Sequence, residues 1–259
     1  MLSCPGTPNG TGPILLTPLW QQRLMLSCPD KLPRRREDSS ITFSTERRGR
    51  ETCSVTTRTS PRSSALAETL ERNPIRLRGF CVMRNHWHLI LWPEFDGELA
   101  RFMQRLTITH VRRWVEHRHR VGYGSVYQGR YKSFPVQDDM HFSTLARYVE
   151  RNPLRARLVR RAENWRWSSL GQSMHAATEQ VPRIPICRWP IKRRPDWVEW
   201  VNQPQTSGEI AAVFQSIRHS RPYGTPPWTA TVEKQLGLGP LRQRGRPRKT
   251  SQKELDSSR

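Results

Sequence analysis

Two histidines one residue apart stand inside an apolar run, Phe80 to Trp92, reading FCVMRNHWHLILW. A strand turns alternate side chains to opposite faces, so His86 and His88 share one face while Trp87, Leu89 and Leu91 share the other and anchor the strand in a core. Side chains two apart on a strand lie roughly 6.5 to 7 Å from one another at their roots, a span from which two neutral imidazoles converge on one divalent ion if a third group arrives from elsewhere. The same pair also reads as two partly buried polar residues of an ordinary strand, and the choice between the readings rests on other residues.

A second polar pair lies in Phe142 to Asn152, FSTLARYVERN. Leu145, Tyr148 and Val149 fall on one helical stripe, and Tyr148 and Asn152, four apart, share a face. Pro153 restricts Asn152 and closes the helix there, before a second helix over Leu154 to Ala162. Both polar groups are thereby set at a helix end. The structural alternative for Tyr148 is a core tyrosine with its hydroxyl at the surface.

The chain has 259 residues, enough for one catalytic domain and an appendage, with 44 Lys and Arg against 22 acidic residues and a net charge of +22. A pI near 11.2 points to an acidic partner. Arginine's planar fork suits phosphate oxygens, and a cationic surface gains by releasing counterions condensed on nucleic acid. An anionic membrane surface fits less well, because no basic amphipathic helix stands out. No apolar run approaches the roughly 20 residues of a membrane span. The cysteines, Cys4, Cys28, Cys53, Cys81 and Cys187, lack the paired spacing of zinc sites and redox motifs and read as free thiols of a cytoplasmic protein.

The elements that must position these groups begin late. Residues 1–64 are rich in Pro, Ser, Thr and Arg without apolar periodicity and read as disordered. A catalytic domain over 65–175 opens with the end of a helix that stops before Asn73-Pro74. A strand over Ile75 to Met83, a turn at Arg84-Asn85 and the histidine strand come next. Leu99, Phe102, Met103, Leu106, Val111, Trp114 and Val115 mark a long amphipathic helix whose other face carries Arg105, Arg112 and Arg113, either phosphate contacts or a solvated face. Ser125 to Gln137 reads as a strand or hairpin, with Arg130 and Lys132 among aromatic residues. Trp165 and Trp167 read as packing. Residues 176–240 form a small basic helical extension, with helices over Trp197 to Asn202, Glu209 to Arg218 and Trp228 to Leu236. The tail 241–259 is basic and disordered. Its RQRGRPRK is similar to an AT-hook, which would place Arg244, Arg246 and Arg248 in a minor groove.

The histidine stretch MRNHWHLILWP, the segment VYQGRYKSFPVQ, the tyrosine helix RYVERNPLRARLV and the aromatic ENWRWSS occur together along residues 66 to 170. As a set they resemble the REP-associated tyrosine transposases, single-tyrosine members of the HUH superfamily. The resemblance implies an α+β, ferredoxin-like antiparallel sheet with helices. It also implies Mg²⁺ or Mn²⁺ and no other small-molecule cofactor. The reaction implied is cleavage and rejoining of single-stranded DNA beside palindromic hairpins through a 5′-phosphotyrosine intermediate. In that reading Tyr148 is the nucleophile, His86 and His88 bind the metal, and Asn152 stands where related enzymes place an amide as third ligand. The REP-associated branch implies a monomer.

The chain departs from the family pattern at two places. Arg84 stands where family members usually carry proline, which loosens the turn feeding His86. The family's central first strand has no counterpart in Arg34 to Ser64, which suggests a disrupted reading frame and a decayed copy. A catalytically inactive DNA-binding relic is therefore the alternative function, and a replication initiator or relaxase of the same superfamily ranks behind it.

Overall fold

The histidine run forms strand β3, His86–Trp92, and a sheet assembles around it. The computed structural model of the protein describes residues 39–45, 61–119, 125–127, 129–175 and 183–241. In chain order, β1 is Ser39–Thr45, α1 Pro61–Arg72, β2 Arg76–Val82, then β3, α2 Glu98–Arg118 and β4 Lys132–Val136. The four strands lie in the order β2-β3-β1-β4, every pair antiparallel. That order and the βαββαβ succession are the ferredoxin-like arrangement expected from the sequence.

The stretch 1–64, expected to carry no structure, instead supplies β1, which lies between β3 and β4 with Thr45 opposite His86 and Phe43 opposite His88. It also supplies the first turn of α1. The segment SSITFST carries only one short apolar alternation, Ile41 and Phe43 among polar residues, but Thr, Ile and Phe favour extended backbone, and a central strand is held by ladders on both sides. The reason for inferring a disrupted frame, a missing central strand, is thereby removed. The rest of 1–64 and the tail with Arg244, Arg246 and Arg248 lie outside the described residues.

Helices α1 and α2 pack together on one face of the sheet, joined by an Arg113–Glu68 ion pair. Gly97 opens α2 with φ +81°, a conformation that strains any residue with a Cβ. Inside this layer Trp87 meets His110 edge-on, ring centroids 5.4 Å apart. His110 is wholly buried, its Nδ1 2.7 Å from the Tyr127 hydroxyl.

The other face carries α3, Met140–Glu150, and then α4, Asn152–Arg155, a single turn. The second helix expected over Leu154 to Ala162 ends far sooner, because Arg157 turns the chain with φ 56°. Asp139 caps α3 by accepting from the His141 backbone N–H at 2.7 Å. From Phe142 to Glu150 only Thr144 escapes full burial, so α3 is sandwiched between the sheet and the C-terminal helices. After α5, Ser169–Met174, come α6 Trp197–Asn202, α7 Ser207–His219 and α8 Pro226–Gln235. The last three closely match the spans read from the sequence.

Segments after α4 cover both edges of the sheet, which would otherwise expose unpaired backbone. On the β2 side, the Val82 N–H donates to the Trp167 carbonyl at 2.8 Å, and Trp165 Nε1 donates to the Val82 carbonyl at 2.9 Å. On the β4 side, Tyr223 pairs with Val136. Both tryptophans are buried, as packing residues should be. Glu150 at the end of α3 is buried and accepts from Ser169 Oγ at 2.6 Å and Trp197 Nε1 at 2.7 Å. That carboxylate ties α3, α5 and α6 together. Among the cysteines, Cys81 is a free buried thiol, whereas Cys187 is disulfide-bonded, contrary to the expectation for it. Spacing along the chain carries no sign of a bridge formed in three dimensions. No described helix is long and apolar enough to cross a membrane.

Candidate active site

β3 delivers the two histidines as alternation requires. Trp87 faces α2, and His88 faces α3. The turn before β3 is held from outside: Arg62 of α1 donates to the carbonyls of Arg84 at 2.6 Å and Met83 at 3.5 Å. The Met83 N–H donates to the His86 carbonyl at 2.7 Å. A buried guanidinium therefore clamps the turn that Arg84 was expected to loosen.

The imidazoles meet at their Nε2 atoms, 3.1 Å apart. His86 Nδ1 lies 2.7 Å from Asn85 Oδ1, which fixes the ring from behind. His88 is buried and His86 half-buried. Burial, with Arg62 and Arg155 nearby, lowers the His86 pKa to about 4. Burial, then His86 and Arg155, hold His88 well below its usual value. Both rings are therefore neutral at neutral pH, the form in which an imidazole nitrogen can ligate a metal ion.

Tyr148, in the last turn of α3, meets the His88 ring edge-on, centroids 5.9 Å apart. Asn152, the first residue of α4, sets its Nδ2 against His88 Nε2. The break at Arg151 keeps Tyr148 and Asn152 on one side, as their spacing predicted, and Pro153 sits in the first turn of α4 where its missing N–H costs nothing. The four residues singled out for chemistry thus come together in one place.

Arg155, which no motif in the sequence singled out, joins them. Its guanidinium lies over the Tyr148 ring, 4.1 Å from the centroid, and donates from Nη2 to Asn152 Oδ1 at 3.1 Å. Burial raises the Tyr148 pKa, and Arg155 opposes that rise. The signal available was spacing, since Arg155 lies two turns beyond Tyr148 and three residues beyond Asn152, but many arginines share such relations. Phe214 of α7 closes the far side, its ring 6.0 Å from that of Tyr148, and Tyr148 is 2% exposed.

The donor set fits a divalent cation. Two nitrogens 3.1 Å apart match ligands about 95° apart on one ion at bond lengths of ~2.1 Å, near the octahedral angle. Among the described residues no group of three or more His, Cys, Asp or Glu forms a metal cluster; the polar side chain set against the histidine pair is the Asn152 carboxamide. Amide oxygen and nitrogen exchange places on a flip, so Asn152 can present either atom.

The candidate DNA contacts are dispersed. Arg105 and Arg112 are exposed on α2, and Arg130 is exposed before β4. Arg113 is engaged with Glu68. Lys132 is exposed, with Nζ donating to the Arg218 carbonyl at 3.1 Å.

Residues 42–152 match the model of the family described as IS200-like transposases. A solved structure described as a REP-associated tyrosine transposase bound to a REP hairpin is 17% identical, with a TM-score of 0.43 over 63% of this chain and 98% of that one. No curated protein matches the chain.

Proposed function

We propose that the protein, whose residues 42–152 match the model of the IS200-like transposases, cleaves and rejoins single-stranded DNA beside palindromic hairpins, as the REP-associated branch does, through a covalent bond to Tyr148. The observation that carries the reading is the convergence of His86, His88, Asn152 and Tyr148 from a strand and two successive helices.

In this reading the Tyr148 phenolic oxygen bonds to phosphorus as the bond from phosphorus to the 3′-oxygen of the preceding nucleotide breaks. The phenol gives up its proton and the departing oxygen gains one, leaving a 5′-phosphotyrosine and a free 3′-hydroxyl. Attack by a 3′-hydroxyl reverses the step and rejoins the strand. Arg155 beside the phenol favours its ionised form against the effect of burial. His86, His88 and Asn152 would hold Mg²⁺ or Mn²⁺, which when bound supplies Lewis-acid polarisation of a scissile phosphate oxygen. Exposed Arg105, Arg112, Arg130 and Lys132 contact the phosphate backbone, joined by Arg113 and by Arg244, Arg246 and Arg248 of the tail. We place this chemistry in the cytoplasm, carried out by a monomer.

The test is covalent capture. Native protein with Mn²⁺ and a labelled single-stranded hairpin yields an adduct that survives denaturing electrophoresis, and Tyr148→Phe yields none. An adduct that persists in Tyr148→Phe refutes the assignment. Salt-sensitive binding without an adduct in the native protein leaves only the DNA-binding relic.

A further inference from the structure

Asn152 has one carboxamide oxygen, and two groups have a claim on it. Oδ1 accepts from Arg155 Nη2 at 3.1 Å, while Nδ2 lies against His88 Nε2. A hard divalent cation needs the oxygen, because an amide nitrogen is a donor with no lone pair to offer. The orientation that serves Arg155 therefore turns the wrong atom toward the histidine pair.

Arg155 is itself tied on more than one side. Its guanidinium stacks on Tyr148 at 4.1 Å and stands 5.8 Å from the Phe214 ring. The short turn α4 carries both Asn152 and Arg155, three residues apart, which keeps the two side chains within reach of each other. A planar fork can donate to a carboxamide at its edge while its face lies on an aromatic ring.

The geometry points to Arg155 as a positioning residue that competes with a divalent cation for Oδ1 of Asn152. Resting on the metal-site reading above, the inference adds a latch to it: the guanidinium holds the carboxamide turned away from the imidazoles, and cation entry requires the amide to flip and Arg155 to release it. The released guanidinium stays against Tyr148, beside the position a scissile phosphate would take. The metal and the arginine thus exchange one oxygen between them.

Competition makes a prediction opposite to that of a structural prop. The free Mn²⁺ signal in electron paramagnetic resonance gives the Kd of the full-length protein, with no reliance on activity. Arg155→Gln and Arg155→Lys are each expected to tighten Mn²⁺ binding roughly threefold to tenfold, the worth of one hydrogen bond to the amide oxygen. The lysine variant keeps the charge, so a gain there excludes simple relief of repulsion, and it carries the test if Arg155→Gln fails to fold. In an Asn152→Ala background the gain disappears, because the contested oxygen is gone. Unchanged or weaker binding in both variants, tightening with Gln alone, or a gain that persists without Asn152 overturns the inference while leaving the metal site standing. Absence of Mn²⁺ uptake in native protein and variants alike overturns the metal reading and this inference with it.

Discussion

His110 provides a test of the packing that backs the histidine strand. It is wholly buried on α2, against Trp87 and Tyr127. Burial, with a smaller contribution from Arg62, lowers its pKa from 6.5 to about 3. The folded value is depressed, so the unfolded chain takes the proton first. The stability carried by the neutral ring is full above about 6.5 and is lost as pH falls toward 3. Linkage between those two values gives a loss of about 3 kcal/mol on going from pH 7 to pH 4. His110→Phe keeps the aromatic contact and removes the titration. Urea unfolding of both proteins at the two pH values measures the difference: native protein should lose about 3 kcal/mol more than the variant over that range. Parallel losses would show that His110 is not held neutral and that water reaches the layer behind β3.

Glu150→Ala leaves Ser169 Oγ and Trp197 Nε1 without their buried acceptor; it should cost about 3–5 kcal/mol in urea unfolding, and Glu150→Gln, which keeps one acceptor, about 1–2 kcal/mol. Gly171→Ala sets a methyl group into the Trp165 carbonyl, and a lower melting temperature is expected, equivalent to about 1–3 kcal/mol. Arg112→Ala, at an exposed position on α2, should weaken binding of any single-stranded DNA to a similar degree and lower the slope of log affinity against log salt by about 0.7. A slope equal to that of native protein removes Arg112 from the DNA surface.

Legibility in the sequence depended on how local each signal was. The histidine strand was readable because apolar run, alternation and flanking turn agreed, and its bounds, His86–Trp92, are those of β3. Tyr148 and Asn152 were readable as partners because one helical repeat separates them, and the break between α3 and α4 preserves that side. β1 was missed because the alternation in its seven residues, SSITFST, is confined to Ile41 and Phe43 within a long polar stretch; both its ladders are made with strands distant in sequence. Arg62, Arg155 and Glu150 were missed for a related reason. Each acts across a gap in sequence or through a chemistry common to many residues of a chain with 44 basic side chains. Arg155 could have been suspected from its place two turns beyond Tyr148, but the same reasoning would have nominated neighbours that point elsewhere.

In the proposed site, imidazoles on a strand and a carboxamide on a helix would share one cation beside a tyrosine. Anomalous diffraction from crystals of the protein grown with Mn²⁺ tests this most directly. The expected result is a peak within bonding distance of His86 Nε2, His88 Nε2 and Asn152 Oδ1, with the Tyr148 ring against His88. Mn²⁺ bound elsewhere, with no ion between the two Nε2 atoms, would contradict it.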